Sequence, residues 1–200
     1  LFYNHTFYSA FLGRFFTAYS LGSWTCGGFS AIAILAVFLL FMKRKQWTLL
    51  KIFFVASIVG LMIPLVGKIF NGFSYPTNRW GFIVAFMVAF ILAAMWQQLM
   101  TLTKKEAFGL FLCLTVYTTI TLIVEQSRGL HIFVPIIIAY ICLMLMVLFR
   151  ENTSERLKKL CQTALLVLTM LGVFVNAFWL YSVHGKNYAS EFMDYQTKRQ

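Results

Sequence analysis

Charged residues are scarce in this chain, and acidic residues are the scarcest of all. Of the 200 residues only 12% are charged, and six Asp or Glu stand against 17 Lys or Arg. A soluble domain carries about a quarter charged residues, so this composition excludes a soluble globular fold. The only Asp is Asp194, so an enzyme that needs a carboxylate base has very few candidates within these residues.

Other sequence signals are missing as well. The cysteines form no C-x-x-C pair and lie in or beside apolar stretches, which is typical of small buried residues rather than a zinc site or a disulfide set: Cys26, Cys113, Cys142 and Cys161. We find no nucleophile–base pair, phosphate loop, HExxH motif or fixed repeat. No basic block adjoins a nucleic-acid module, so the net charge of +11 does not indicate a nucleic-acid partner.

Long apolar stretches dominate what is present. The chain is 60% hydrophobic with a mean hydropathy of +0.79. Apolar runs of roughly 18 residues or more are typical of membrane-spanning helices. The sequence therefore predicts an all-α, polytopic membrane protein with about six transmembrane helices in residues 25–181, at approximately 26–42, 49–70, 80–102, 107–124, 132–149 and 160–181. Pro64 is expected to kink the second of these helices.

The two ends of the chain have a different character. Residues 1–24 are rich in aromatic side chains and include Arg14, which favours an interfacial segment in which an amphipathic helix lies on the membrane. Residues 182–200 are polar and are expected to form an extracellular tail leading to a further, missing domain. Because the chain starts at Leu1 without a signal peptide, we expect it to be a fragment of a longer protein.

The basic residues predict the orientation in the membrane. Ten of the 17 fall on one side of the predicted helices and seven on the other, and two of those seven lie in the tail. The richer side is predicted to be cytoplasmic, because positive residues accumulate there. Both ends of the chain and the loop between the second and third helices are then expected to face outward, in a multi-pass protein of the bacterial plasma membrane.

That loop has the sequence NGFSYPTNRW, residues 71–80. One interpretation is a simple connector, which explains each residue type singly: Asn71-Gly72 as a turn, Pro76 as a stiff link, Thr77 or Asn78 as a helix N-cap, Arg79 as a snorkelling cation and Trp80 as a membrane-interface aromatic.

The other interpretation of the 71–80 loop is a binding element, because so many recognition groups occur together. An Arg at a helix N-terminus suits a phosphate, since its guanidinium matches two oxygens and the helix dipole favours an anion. The remaining groups suit a sugar at the membrane surface: Tyr75 and Trp80 as flat faces, Asn71 and Asn78 as amides for hydroxyls, and Lys68 as added charge.

A second polar cluster follows the fourth predicted helix. Its sequence is EQSRGLH, and Glu125 is the only outward-facing acid before the tail. Glu125 either pairs with Arg128, as short outer loops often do, or acts as a base or metal ligand. No metal site is predicted, and the sequence does not settle whether a divalent metal takes part.

The sequence NGFSYPTNRW, directly after one span and opening the next, resembles the signature region of the bacterial YfhO family. The segment NAFWLYSVHGKNYASEF resembles the point where that family leaves its membrane region. The resemblance covers most of the chain and implies a GT-C-like glycosyltransferase. Such an enzyme moves a sugar from a polyprenyl-phosphate donor to an anionic cell-envelope polymer, such as lipoteichoic or wall teichoic acid, on the outer face.

The resemblance also implies that the catalytic acid lies in an early outer loop, outside these residues. Arg79 is the expected group for the departing lipid phosphate, with Arg128 and Lys68 as weaker candidates. Two alternatives stay open. A transporter or lipid-carrier flippase would show polar residues at mid-membrane in several spans, and few are present. A non-enzymatic membrane scaffold would tolerate changes at Arg79.

Overall fold

The computed structural model describes residues 2–16, 29–43, 46–124, 130–151 and 154–180. These residues form helices and connecting turns, and no strand occurs among them. The prediction of an all-α, polytopic membrane fold is confirmed.

Eight α-helices follow one another in the described ranges. Their bounds are α1 His5–Phe11, α2 Ala31–Met42, α3 Thr48–Met62, α4 Pro64–Phe70, α5 Phe82–Met100, α6 Lys104–Val124, α7 Leu130–Glu151 and α8 Glu155–Leu180. Two 3-10 turns accompany them, at Gly13–Phe15 after α1 and at Arg79–Gly81 before α5.

Four of these helices are long and apolar enough to cross a membrane, and they correspond to the third to sixth predicted spans: Arg79–Met100, Lys104–Val124, Leu130–Arg150 and Glu155–Trp179. The second predicted span is the bent pair α3 and α4, which would make a fifth. The first, α2, has 12 residues and reaches about 18 Å, short of the roughly 30 Å apolar layer of a bilayer. The described residues thus contain four or five spans rather than six.

Helix α2 lies at the centre of the bundle, where it packs against α5, α6 and α7. Its side chains are apolar on every side, and Leu35, Ala36, Leu39 and Leu40 are fully buried. The longer helices around it keep large apolar side chains on their outer faces, such as Phe86 on α5. A helix that is apolar all round belongs inside a bundle, whereas the outer faces suit contact with lipid.

The chain breaks sharply between α3 and α4. The two helices are bent by 97° at Ile63, and Pro64 is the first residue of α4. Proline has no N–H to continue α3, although it fits well at the start of a new helix. The expected kink at Pro64 is therefore a full break, which leaves the last carbonyls of α3 in need of new partners.

The N-terminal segment packs into the bundle. Asn4 caps α1 by accepting a hydrogen bond from the Phe7 N–H at 3.0 Å. The rings of Phe7, Phe11 and Phe16 are buried, and the Tyr117 hydroxyl on α6 donates to the Leu12 carbonyl at 2.5 Å. Several aromatic side chains of the segment are therefore covered by the bundle, while Phe2 is exposed, and the interfacial location of the segment stays a prediction. Residues 17–24 of the predicted segment lie outside the described ranges.

Basic residues gather at the other end of the bundle. Lys43 at the end of α2 pairs with Glu106 on α6, and Lys51 on α3 donates to the Lys43 carbonyl. Glu106 also accepts from the Thr103 N–H at 2.9 Å, while the Thr103 hydroxyl accepts from the Glu106 N–H at 3.2 Å. This reciprocal capping box starts α6 and ties it to α2. The grouping agrees with the predicted basic side, and its cytoplasmic location stays a prediction.

Candidate functional site

Helix α4 ends at the start of the 71–80 loop in a well-defined C-terminal cap. The Phe73 N–H donates to the Lys68 carbonyl at 2.8 Å, and the Gly72 N–H donates to the Ile69 carbonyl at 3.2 Å. Together these two bonds form a Schellman motif, which needs a left-handed residue where Gly72 has a φ of 61°. The turn predicted from Asn71-Gly72 is confirmed.

Asn71 uses its side chain within the loop. Its amide donates to the Ser74 hydroxyl at 2.8 Å and to the Tyr75 carbonyl at 3.1 Å, while the Ser74 hydroxyl donates back to the Asn71 carbonyl at 2.9 Å. These local bonds fix the conformation of the first half of the loop. Asn71 therefore shapes the turn, and whether its amide also meets a sugar hydroxyl stays a prediction.

Asn78 is fully buried and serves the broken helix. Its amide donates to the Leu61 carbonyl at 2.9 Å, and the Tyr8 hydroxyl donates to the neighbouring Met62 carbonyl at 3.0 Å. These are carbonyls that the break at Pro64 exposes, so both side chains replace helical hydrogen bonds. Asn78 occupies the residue before the Arg79–Gly81 turn, but its side chain does not cap that turn.

Trp80 is buried in the angle of the same break. Its ring stacks on Phe70 of α4, with centroids 5.2 Å apart and an interplanar angle of 27°. A Cβ added at Gly60 of α3 would lie 3.1 Å from the Trp80 ring, so α3 approaches closely because this residue is glycine. With 7% of its surface exposed, Trp80 is not the accessible sugar-stacking face or interface aromatic that the sequence suggested.

Arg79 and Tyr75 form the exposed half of the loop. The Arg79 guanidinium donates to the Tyr75 hydroxyl at 2.8 Å and lies over its ring at 5.8 Å from the centroid. Both residues are exposed, and Arg79 starts the turn that leads into α5. This pair offers a cation, an aromatic face and a hydroxyl together at the surface of the protein.

The remaining predicted site residues are not part of the Arg79–Tyr75 pair. Lys68 is half-buried in the last turn of α4, and its backbone carbonyl accepts the hydrogen bond from the Phe73 N–H. Glu125 and Arg128 lie outside the described residues. Within the described ranges no group of three His, Cys, Asp or Glu side chains is arranged to hold a metal ion.

Sequence reasoning missed Tyr8, Tyr3 and Gly67. The Tyr3 hydroxyl lies 3.5 Å from the Asn78 amide oxygen, and burial together with the nearby Tyr8 raises the pKa of Tyr3. A Cβ added at Gly67 would lie 2.9 Å from the Thr77 carbonyl oxygen, so the loop touches the α4 backbone there. The two tyrosines are about 70 residues from the loop in sequence, and no local pattern predicts such a contact.

Comparison with known proteins gives one match. The model of a family described as bacterial membrane protein YfhO matches residues 3–200, nearly the whole chain. No curated protein and no solved structure matches significantly.

Proposed function

The chain belongs to the YfhO family of bacterial membrane proteins, and from this premise we propose that it is part of a glycosyltransferase. In this proposal a sugar moves from a polyprenyl-phosphate donor to an anionic polymer of the cell envelope, and the reaction takes place on the outer face. The observation that supports it is the exposed pair of Arg79 and Tyr75 on a loop that buried residues hold in place.

Arg79 has the chemistry that the departing lipid phosphate requires. Its guanidinium is always charged and presents donors that match two phosphate oxygens. The Arg79–Gly81 turn leads directly into the N-terminus of α5, and the positive end of a helix dipole is favourable to an anion. Tyr75 orients the guanidinium through its hydroxyl at 2.8 Å. Because the guanidinium is already in position before the reaction, it stabilises the negative charge that develops on the lipid phosphate as the sugar leaves.

The acceptor hydroxyl needs a base, and the described residues of the 71–80 loop contain no carboxylate. We place that base on another outward-facing segment, consistent with the acid that GT-C-like enzymes carry in an early outer loop. Glu125, in the segment that the sequence predicts to face outward after the fourth span, is the alternative within the chain. The carboxylate would remove the acceptor proton while the sugar is displaced from the phosphate with inversion.

A transporter or flippase is the second candidate, and the break between α3 and α4 favours it. Discontinuous helices often line the substrate sites of transporters. In this chain, however, the carbonyls of Leu61 and Met62 at the break accept hydrogen bonds from Asn78 and Tyr8. Because these groups are already used by the protein, the break is better explained as a support for the loop than as an ion site.

The test replaces Arg79 in the complete gene, expressed in bacterial cells that lack it. We expect Arg79→Ala to reduce sugar on the envelope polymer by about 100-fold, the usual effect of removing one transition-state donor. Arg79→Lys should recover only part, because lysine keeps the charge but lacks the planar fork. The measurement is polymer-bound sugar by mass spectrometry, normalised to the amount of protein in the membrane.

Arg150→Ala is the matched control, since Arg150 is another exposed arginine, at the end of α7. It should leave glycosylation unchanged. Full glycosylation in Arg79→Ala cells would contradict the phosphate role and favour a membrane scaffold. Normal sugar transfer in isolated membranes, combined with loss of lipid movement across the bilayer, would favour the flippase.

A further inference from the structure

A large apolar cavity lies between the N-terminal segment and helices α2, α3, α5 and α6. Its volume is about 410 Å³, within the range of about 300–1,000 Å³ that small-molecule sites occupy. Its lining residues are buried or half-buried, and the cavity is partly open at the protein surface. Well-packed proteins have few spaces of this size between their helices, so a partly open apolar cavity here is suited to a bound apolar molecule.

The lining restricts the chemistry of that occupant. It consists of aliphatic and aromatic side chains, with Phe11 from α1, Val37 from α2 and Ile58 from α3 among them. Two lining residues carry hydroxyls, and both are directed to backbone carbonyls: Tyr8 donates to Met62, and Tyr117 donates to Leu12. A buried water needs two to four polar partners, and a polar ligand needs a few placed ones, so these walls favour neither.

We propose that this cavity binds one hydrocarbon chain of a membrane lipid. Two of the surrounding helices, α5 and α6, are long and apolar enough to cross a membrane, so lipid chains are the apolar molecules at the highest local concentration. Since a bilayer interior is as apolar as the cavity wall, the hydrophobic effect does not drive entry. The chain instead gains dispersion contacts with the wall atoms that line the cavity, which individually are small but add up over a whole chain.

The cavity and the 71–80 loop share one structural element. Tyr8 lines the cavity and donates a hydrogen bond to the Met62 carbonyl. Asn78, in the loop, donates a hydrogen bond to the adjacent Leu61 carbonyl. A lipid whose chain occupies the cavity therefore lies against the same helix break that supports Arg79. The proposal needs no sugar transfer and stands or fails independently of the glycosyltransferase activity.

The test is photo-crosslinking of the whole protein in lipid nanodiscs. Two probes carry a diazirine near the chain end, one a phosphatidylglycerol with an acyl chain and the other an isoprenoid phosphate. We expect labelled peptides from α2 and α3 that include Val37 and Ile58. Val37→Trp should lower this labelling by about tenfold, because an overpacked site excludes the chain. Ile58→Trp gives the same test from the opposite wall if the first variant folds poorly.

Val173→Trp is the matched control. It adds the same ring to α8, where Val173 is exposed and does not line the cavity, so labelling of α2 and α3 should persist. Labelling by both probes supports a general chain site, and labelling by one alone identifies the lipid. Absence of labelling at α2 and α3, or equal labelling in Val37→Trp and Ile58→Trp, would overturn the proposal whatever the sugar-transfer result.

Discussion

The 71–80 loop has a buried half and an exposed half, and the two differ in what they do. Asn78 and Trp80 are enclosed between α3, α4 and the N-terminal segment, whereas Tyr75 and Arg79 are exposed. The binding interpretation of the sequence, one of two that the loop allows, groups all four as a single site by residue type. The structure separates them. Asn78 hydrogen-bonds a carbonyl at the break between α3 and α4, and Trp80 packs between the two helices, so neither side chain has surface left for a ligand.

This difference predicts that changes in the buried half act mainly on stability, while changes in the exposed half act mainly on function. Membrane insertion, the free energy of unfolding in mixed micelles and polymer-bound sugar are the measurements that distinguish the two effects.

The largest effect is expected for Trp80→Ala. Removing the ring leaves a hole between Phe70 and Gly60, and truncation of a buried aromatic residue typically costs about 3–5 kcal/mol. The measurement is the free energy of unfolding in mixed micelles. Trp96→Ala is the control, because Trp96, near the C-terminal end of α5, is 41% exposed, and its loss should cost far less. Equal losses in both variants would show that Trp80 is not a packing centre.

A smaller effect is expected for Asn78→Ala. The change leaves the Leu61 carbonyl without its amide donor, and hydrogen bonds between helices in membranes contribute about 1–2 kcal/mol at most. Tyr8→Phe removes the donor to the adjacent Met62 carbonyl and serves as the partner variant. Because the two bonds support one break, the double variant should deviate from the sum of the single losses. Strict additivity would indicate that the two bonds act independently.

The fold could be predicted from the sequence further than the site could. Of the six spans that the sequence predicts, the last four correspond to helices α5 to α8 within a few residues, apart from the start of α8 at Glu155. Pro64 predicts an interruption of the second predicted span, since the absence of a backbone N–H is a property of the residue itself. At the 97° bend the exposed carbonyls accept hydrogen bonds from Asn78, 17 residues from Leu61, and from Tyr8, 54 residues from Met62, and the second contact is beyond any local pattern.

The site was harder because burial is not a local property. Gly72 was identified correctly, as its left-handed conformation follows from the turn itself. Trp80 and Asn78 carry the residue types of a sugar site, and only the packing of Phe70, Gly60 and the N-terminal segment removes them from the surface. Residue type indicates what a side chain is able to recognise, but the tertiary fold decides whether a ligand reaches it.

The smallest effect on stability is expected for Tyr75→Phe, in the exposed half. The change removes only the hydroxyl that accepts from Arg79, and an exposed contact of this kind alters the free energy of unfolding by less than about 0.5 kcal/mol. Sugar transfer should still fall, by about threefold, because the guanidinium loses one orienting hydrogen bond of ordinary strength. A stability loss as large as that of Asn78→Ala, with no separate loss of transfer, would mean that the exposed half is structural as well.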